Sequence, residues 1–367
     1  MKKTLIAVAL ATLSATSMAD VILYGQIKGG VEVSKIKDVD GTRTQIVDYG
    51  SRIGFKGHED LGNGLQAIWQ LEQKVNIGGG AGNKSFDITD PATGTTRTVT
   101  VKEGAGFGTR DSFIGLKGNF GQVTVGYQHN AVGYTNDKLD IWEYNNAAAG
   151  LGLFTRGTVL NKRTTSVRYA SPDANGFGFE ASVTPSDNNN GADPTNPATY
   201  SNPSTAIYSA GLHFKNAGFF ADVAGGYASK AVATTNGHKP GHQIVAQVGY
   251  DAQPWFAGVA YQNTKRAETE DSVFEGAKTV NEVAGTVAFN VNEPLRVKAS
   301  VGYGFGIKDE AGDKMFGNGR YIQGVVGADY ALSKRTVANA QAGYVQAGSG
   351  DEKFRAGTVS VGLKHKF

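Results

Sequence analysis

Histidine is the side chain most suited to metal ligation and proton transfer near neutral pH, and it occurs six times in the 367 residues, whereas cysteine does not occur. His238 and His242 are four apart, which on a helix would set two imidazoles on one face. Gly237, Pro240 and Gly241 interrupt that stretch, so the spacing does not read as a zinc pair. His58, His129, His213 and His365 stand in no serine-and-carboxylate arrangement along the sequence, although a triad is defined in space. The run Gly78 to Gly82 precedes Asn83-Lys84-Ser85 without phosphate-loop spacing. The expectation is no catalytic residue, no metal site and no cofactor. A chain without cysteine also has no thiol nucleophile and no disulfide.

What remains for chemistry is charge at alternate positions. Lys28, Arg52, Lys56, Lys74, Arg110, Lys162 and Arg168 fall on the polar faces of six consecutive strand-like segments, with Arg296 and Lys298 further on. Singly, each reads equally well as a solvated charge. Together they form a basic wall, and clustered charge along a watery passage sets ion preference. The stretch 129–161 carries the opposite sign, in Asp137, Asp140 and Glu143 beside Trp142 and Tyr144. Folded into a lumen, these acids would face the wall, and the transverse field would orient dipolar solutes. Left on the surface, they would be ordinary solvated acids.

The elements that must hold these charges are strands. Sixteen segments alternate apolar and polar residues, from Asp20–Lys35 to a last one at 358–367, where Val359, Val361, Leu363, His365 and Phe367 share a face. Short turns alternate with longer polar loops at 78–106, 129–161, 185–204, 230–240, 267–278 and 307–317. Trp69, Tyr169, Trp255, Tyr261, Tyr303, Phe305, Tyr330 and Phe367 lie near strand ends on the apolar face. A soluble Greek-key sandwich also alternates. Charge on one face, aromatic rims on the other and an even strand number favour a 16-stranded antiparallel transmembrane β-barrel, closed by pairing of the last strand with the first. Met1 to Ala19 reads as a cleaved signal peptide, with Lys2 and Lys3, an apolar run Leu5–Leu13 and Ser17-Met18-Ala19 before Asp20. Residues 20–367 would then form one barrel domain. The 36 basic and 33 acidic residues nearly cancel, which gives no signal for nucleic acid.

Several motifs carry a family resemblance: Asp20-Val21-Ile22-Leu23-Tyr24-Gly25, Gly50-Ser51-Arg52-Ile53-Gly54-Phe55-Lys56-Gly57, Glu59-Asp60-Leu61-Gly62-Asn63-Gly64-Leu65, Phe113-Ile114-Gly115-Leu116-Lys117-Gly118, Ser166-Val167-Arg168-Tyr169-Ala170-Ser171-Pro172 and Gly362-Leu363-Lys364-His365-Lys366-Phe367. In these the chain resembles the neisserial major outer-membrane porins of the PorB type, within the Gram-negative general porins. The resemblance implies a homotrimer with three pores in the outer membrane, contact with its lipids, and passive diffusion of ions and small hydrophilic solutes. It implies that the third extracellular loop folds inward as a constriction. It also implies that Phe367 and its strand are read by the barrel-assembly machinery. Arg52 matches a basic eyelet position of that family, and Lys28, Arg110 and Arg168 lie where its pore wall is basic. Gly126-Tyr127-Gln128 departs from an arginine that relatives often carry there, so the expected anion preference is weak. The alternatives are an adhesin or structural barrel whose function lies in its surface loops, and then a membrane-lipid hydrolase.

Overall fold

The computed structural model describes residues 20–78, 83–89, 96–102, 107–142, 148–185, 206–234, 237–269, 272–350 and 353–367. The signal segment, the loop stretch 188–202, Glu143 and Tyr144 lie outside them. The strands are β1 (Asp20–Ile36), β2 (Arg43–Asp48), β3 (Arg52–Gly62), β4 (Leu65–Lys74), β5 (Asn83–Thr89), β6 (Thr96–Lys102), β7 (Ser112–Gly118), β8 (Gly121–Gln128), β9 (Thr164–Ala170), β10 (Phe177–Thr184), β11 (Ile207–Asn216), β12 (Phe219–Thr234), β13 (Gly237–Ala252), β14 (Trp255–Lys265), β15 (Ala277–Asn290), β16 (Leu295–Asp309), β17 (Tyr321–Ala331), β18 (Thr336–Ala347) and β19 (Phe354–Lys366). Among the described residues a helix, α1 (Ala131–Asp137), follows β8.

All except β5 and β6 belong to one antiparallel sheet of 17 strands, which closes on itself. β1 pairs with β19 from Gln26↔Lys366 to Ile36↔Ala356, and Gly25 and Phe367 exchange both backbone hydrogen bonds at 3.1 Å. A Cβ on Gly25 would collide with the Phe367 ring, so the glycine makes room for the terminal aromatic at the seam. On its other side β1 pairs with β3 along its first half and with β2 along its second. β2 and β3 are therefore one wall position, interrupted at 49–51, and the barrel has sixteen. At the interruption Gly50 has φ +93°, and the Asp48 carboxylate accepts from the Gly50 and Ser51 amides at 2.8 and 3.0 Å.

Two stretches read as loops contain strands. β5 and β6 form a separate hairpin within 78–106, because Ser85-Phe86-Asp87-Ile88-Thr89 and Thr96 to Val101 alternate β-branched or aromatic residues with polar ones. β12 and β13 run on through 230–240. The ladder shifts register between Ala228 and Val232, opposite Lys239–Gly241, so Pro240, which has no amide hydrogen to donate, sits where regular pairing is broken.

The two faces of the wall are sorted inversely to a soluble protein. Ile114 is 65% exposed, Val259 59% and Val361 51%, whereas Gln243, Glu282 and Gln323 are fully buried. Burying a large apolar side chain is worth about 1.5–3 kcal/mol, so a continuous apolar exterior belongs in hydrocarbon. Ring pairs border the band beside the short turns: Phe177–Phe214, Phe219–Tyr250 and Trp255–Phe289, at 4.6, 5.0 and 4.5 Å between centroids. His365 is exposed next to one of those turns, its Nδ1 2.9 Å from the Thr336 hydroxyl.

Candidate functional site

The basic residues assemble because three neighbouring strands put them in register. Gln26 pairs with Arg52 and Arg52 with Lys74; Lys56 pairs with Gln70 and Gly54 with Glu72. Glu72 is the organising acid. Its carboxylate lies 3.5 Å from Arg52 Nε, is hydrogen-bonded by Arg110 Nε and accepts from the Tyr24 hydroxyl at 3.1 Å. Gly54 makes this possible, since a Cβ there would overlap the Tyr24 ring. Lys56 Nζ rests 5.3 Å from the centre of the same ring. Lys28 is half-buried on this face, its amide donating to Ser51 Oγ at 2.9 Å.

Lys162 does not stand on this wall. The strand starts at Thr164, two residues later than its alternation predicts, and Lys162 is exposed in the preceding turn. Arg163 takes the place instead, with Nε 3.0 Å from Asp111, whose carboxylate also accepts from the His129 amide at 2.9 Å. Burial and the Arg163 charge push the His129 imidazole down to about 4. Arg110 likewise lies just before β7 rather than in it. Arg168, on β9, is paired with Glu180 and stacks 4.9 Å from the Tyr134 ring, so it is neutralised away from the Glu72 group.

The segment 129–163 is bound to the opposite half of the wall, strand by strand. Asn130 caps α1, accepting from the Gly133 amide at 3.1 Å and donating to the Leu160 carbonyl at 2.8 Å. From β12 to β18 every strand then contributes a polar side chain. Asp222 pairs with Lys138 at 2.7 Å, Gln243 accepts from Thr158 at 2.6 Å, and Gln262 donates to the Phe154 carbonyl at 2.7 Å. Thr286 donates to the Leu139 carbonyl at 2.9 Å and Ser300 accepts from the Trp142 indole at 2.9 Å. Gln323 donates to the Gly150 carbonyl at 2.7 Å, and Gln341 to that of Ala149. Between these polar groups the same face is unusually small. A Cβ on Gly258 would come within 2.6 Å of Leu139, and one on Gly343 would strike the Ala148 carbonyl. Ala260, Ala284 and Ala288 pack beneath Leu139, Trp142, Leu151 and Phe154. Glycine and alanine among the polar residues of a wet wall are the sequence signal for this track, and alternation counting passes over it.

Arg156 is the deepest anchor. Its guanidinium reaches Glu268 at 2.6 Å and Glu282 at 2.7 Å, with Phe274 4.5 Å away across its face, and all of these side chains are buried. Tyr321 donates its hydroxyl to Glu282.

Asp137 and Asp140 come from the edge of the segment left uncovered by these contacts. The charges of Arg163 and Arg110 act on the Asp137 carboxylate, and that of Lys298 acts on Asp140. Crowding by protein pushes Asp140 up to about 6 despite hydrogen bonds from the Trp142 amide and Thr155 hydroxyl, both at 3.2 Å. Asp137, which keeps water on one side, is pushed up to about 6 by the same desolvation and by Asp140. Lys298 is not a free lumen charge: it holds Asp329 at 2.8 Å and the Ile141 carbonyl at 3.2 Å. Among the described residues no group of His, Asp and Glu could hold a metal ion. His238 and His242, on one strand, are about 13 Å apart along it.

A model of the family described as Gram-negative porin matches residues 5–350. The chain is 38% identical over 375 residues to the major outer membrane protein P.IB of Neisseria meningitidis serogroup B, and 37% over 392 to that of Neisseria sicca, covering all of each. Among solved structures it resembles an anion-selective porin from Comamonas acidovorans, with TM-score 0.68 at 19% identity over 95% of this chain and all of that one. It also resembles Salmonella typhi OmpF in complex with daunomycin, with TM-score 0.64 at 16% identity over 95% and 97%. At such identities these two likenesses are of fold.

Proposed function

The chain belongs to the Gram-negative porin family, and from that premise we propose that residues 129–163 are its third extracellular loop, folded inward to narrow a water-filled passage. The protein is a transmembrane barrel of the Gram-negative outer membrane. It has a porin's role in passive diffusion and no enzymatic step. The proposed narrowing has two banks. One carries Lys28, Arg52, Lys56, Lys74, Arg110 and Arg163; the other carries Asp137 and Asp140, with Glu143 next in sequence. The observation that carries this reading is the run of side-chain contacts from β12 to β18, which ties the segment to one half of the wall and leaves the polar faces of β1, β3 and β4 uncovered by it.

A weak anion preference follows from the balance of charge at those banks. One carboxylate, Glu72, serves both Arg52 and Arg110, so the wall stays basic but less than its cations alone suggest. The family motifs at both chain ends support a homotrimer with three pores and recognition of the Phe367 strand by the assembly machinery.

Purified protein in a planar bilayer should open a conductance that closes in three equal steps, with a reversal potential in a salt gradient displaced modestly toward the anion. A cation-directed potential would refute the preference, and single-step closure the trimer. A barrel that stays silent even after residues 131–161 are replaced by a short linker would instead favour a plugged adhesin.

A further inference from the structure

Arg156 joins two parts of the molecule that the sequence keeps far apart. Glu282 lies on the barrel wall in β15, whereas Glu268 lies in the connection from β14 to β15, on the same long-loop rim as segment 129–163. That connection lies directly against the segment. Thr158 and Glu268 form an isolated antiparallel bridge, the Val159 amide donates to the Ala267 carbonyl at 2.9 Å, and the Thr269 hydroxyl donates to the Gly157 carbonyl at 3.4 Å. Ser272 donates to Glu268 at 2.7 Å, and Phe274 covers the guanidinium. We propose that the β14–β15 connection is a latch, and that Arg156, held between Glu268 and Glu282, is the positioning residue through which this surface loop fixes the width of the constriction.

Of the two carboxylates on Arg156, only Glu268 belongs to the connection; without it the guanidinium keeps its Glu282 partner on the wall, and the segment loses its charged tie to the loop. Releasing Glu268 would free the outer half of the clamp, while Glu282 and the wall contacts of residues 138–154 stay in place. Residues 157–163, held to the wall on that side through Thr158 and Gln243, would then move while Leu139 and Trp142 remain seated. A ligand or antibody that pulls on the exposed part of the connection would act on the pore in the same way, so the latch couples the cell surface to permeation.

This inference rests on the reading of residues 129–163 as the constriction, and the test separates the two. Glu268→Gln is compared with unmodified trimer by single-channel recording and by limited trypsin digestion, which reads exposure at Lys162 whether or not the channel conducts. A second variant adds Gly157→Cys and Thr269→Cys. Space is open at Gly157 for a side chain, and no other cysteine competes. The latch predicts a severalfold rise in open-channel current variance and faster cutting after Lys162 for Glu268→Gln, both reversed by oxidising the cysteine pair and restored by reductant. Unchanged cutting in Glu268→Gln barrels that keep their resistance to SDS would overturn the latch. So would an oxidised pair that fails to quiet the current. Unmodified protein that forms no channel would refute the constriction reading, while the digestion would still report on the latch.

Discussion

The two halves of the barrel wall use charge in opposite ways. On β1, β3 and β4 the cations stay partly in water and share few acids; Arg52 keeps a third of its side chain exposed beside Glu72. On β12 to β18 each strand commits a polar side chain to holding the segment, and Arg156 with its two glutamates is almost wholly withdrawn from solvent. Exposed ion pairs contribute about 0.2–1 kcal/mol, whereas removing one member of a buried pair costs about 3–5 kcal/mol. In the proposed function, the first half reads passing ions and the second keeps the passage narrow.

Stripping the covered half should have the largest effect. Replacing residues 131–161 by a short linker should raise single-channel conductance severalfold and erase selectivity, measured in planar bilayers. Next in size is Gly343→Leu, which drives a side chain into the backbone at Ala148. It should displace the segment and lower barrel stability by about 1–3 kcal/mol in urea unfolding, while Gly324→Leu, on β17 where the space is open and the backbone is extended, should leave the segment in place.

Smaller effects sharpen the open half. Glu72→Gln removes the acid shared by Arg52 and Arg110, so the reversal potential should move further toward the anion. Asp137 and Asp140, pushed up to about 6, are charged at pH 7 and lose their charge as pH falls through 6. Anion preference should therefore grow between pH 7 and pH 5; a decline would mean that other groups control the bank. Least of all, Lys162→Gln should leave selectivity within error, whereas Arg163→Gln, which frees Asp111, should weaken the anion preference.

The wall was legible in the sequence because a period of two survives wherever one face meets lipid and the other meets polar groups. That is why sixteen positions and the closing pair of β1 with β19 could be read directly. Alternation failed where a residue's environment is set by a distant segment. Glu72 is one of several polar residues alternating along its strand, and nothing local tells that it gathers Arg52 and Arg110. Parity carried past the start of β9 at Thr164 points to Lys162, whereas the chain bends there and brings Arg163 to the wall. α1 has only seven residues and takes its stability from Asn130 and from Val132 packed on Ala224 and Val245, none of which a short window reveals. Gly258, Ala284 and Gly343 are conspicuous on a polar face only once something is known to lie on them.

Thiol accessibility tests the central division most directly, because the chain has no cysteine of its own. Lys74→Cys places a thiol on the open half, and Thr286→Cys places one beneath Leu139 on the covered half. A charged methanethiosulfonate added during recording should lower the current through Lys74→Cys in discrete steps and leave Thr286→Cys unchanged. Equal modification of both, or block only at Thr286→Cys, would contradict the account.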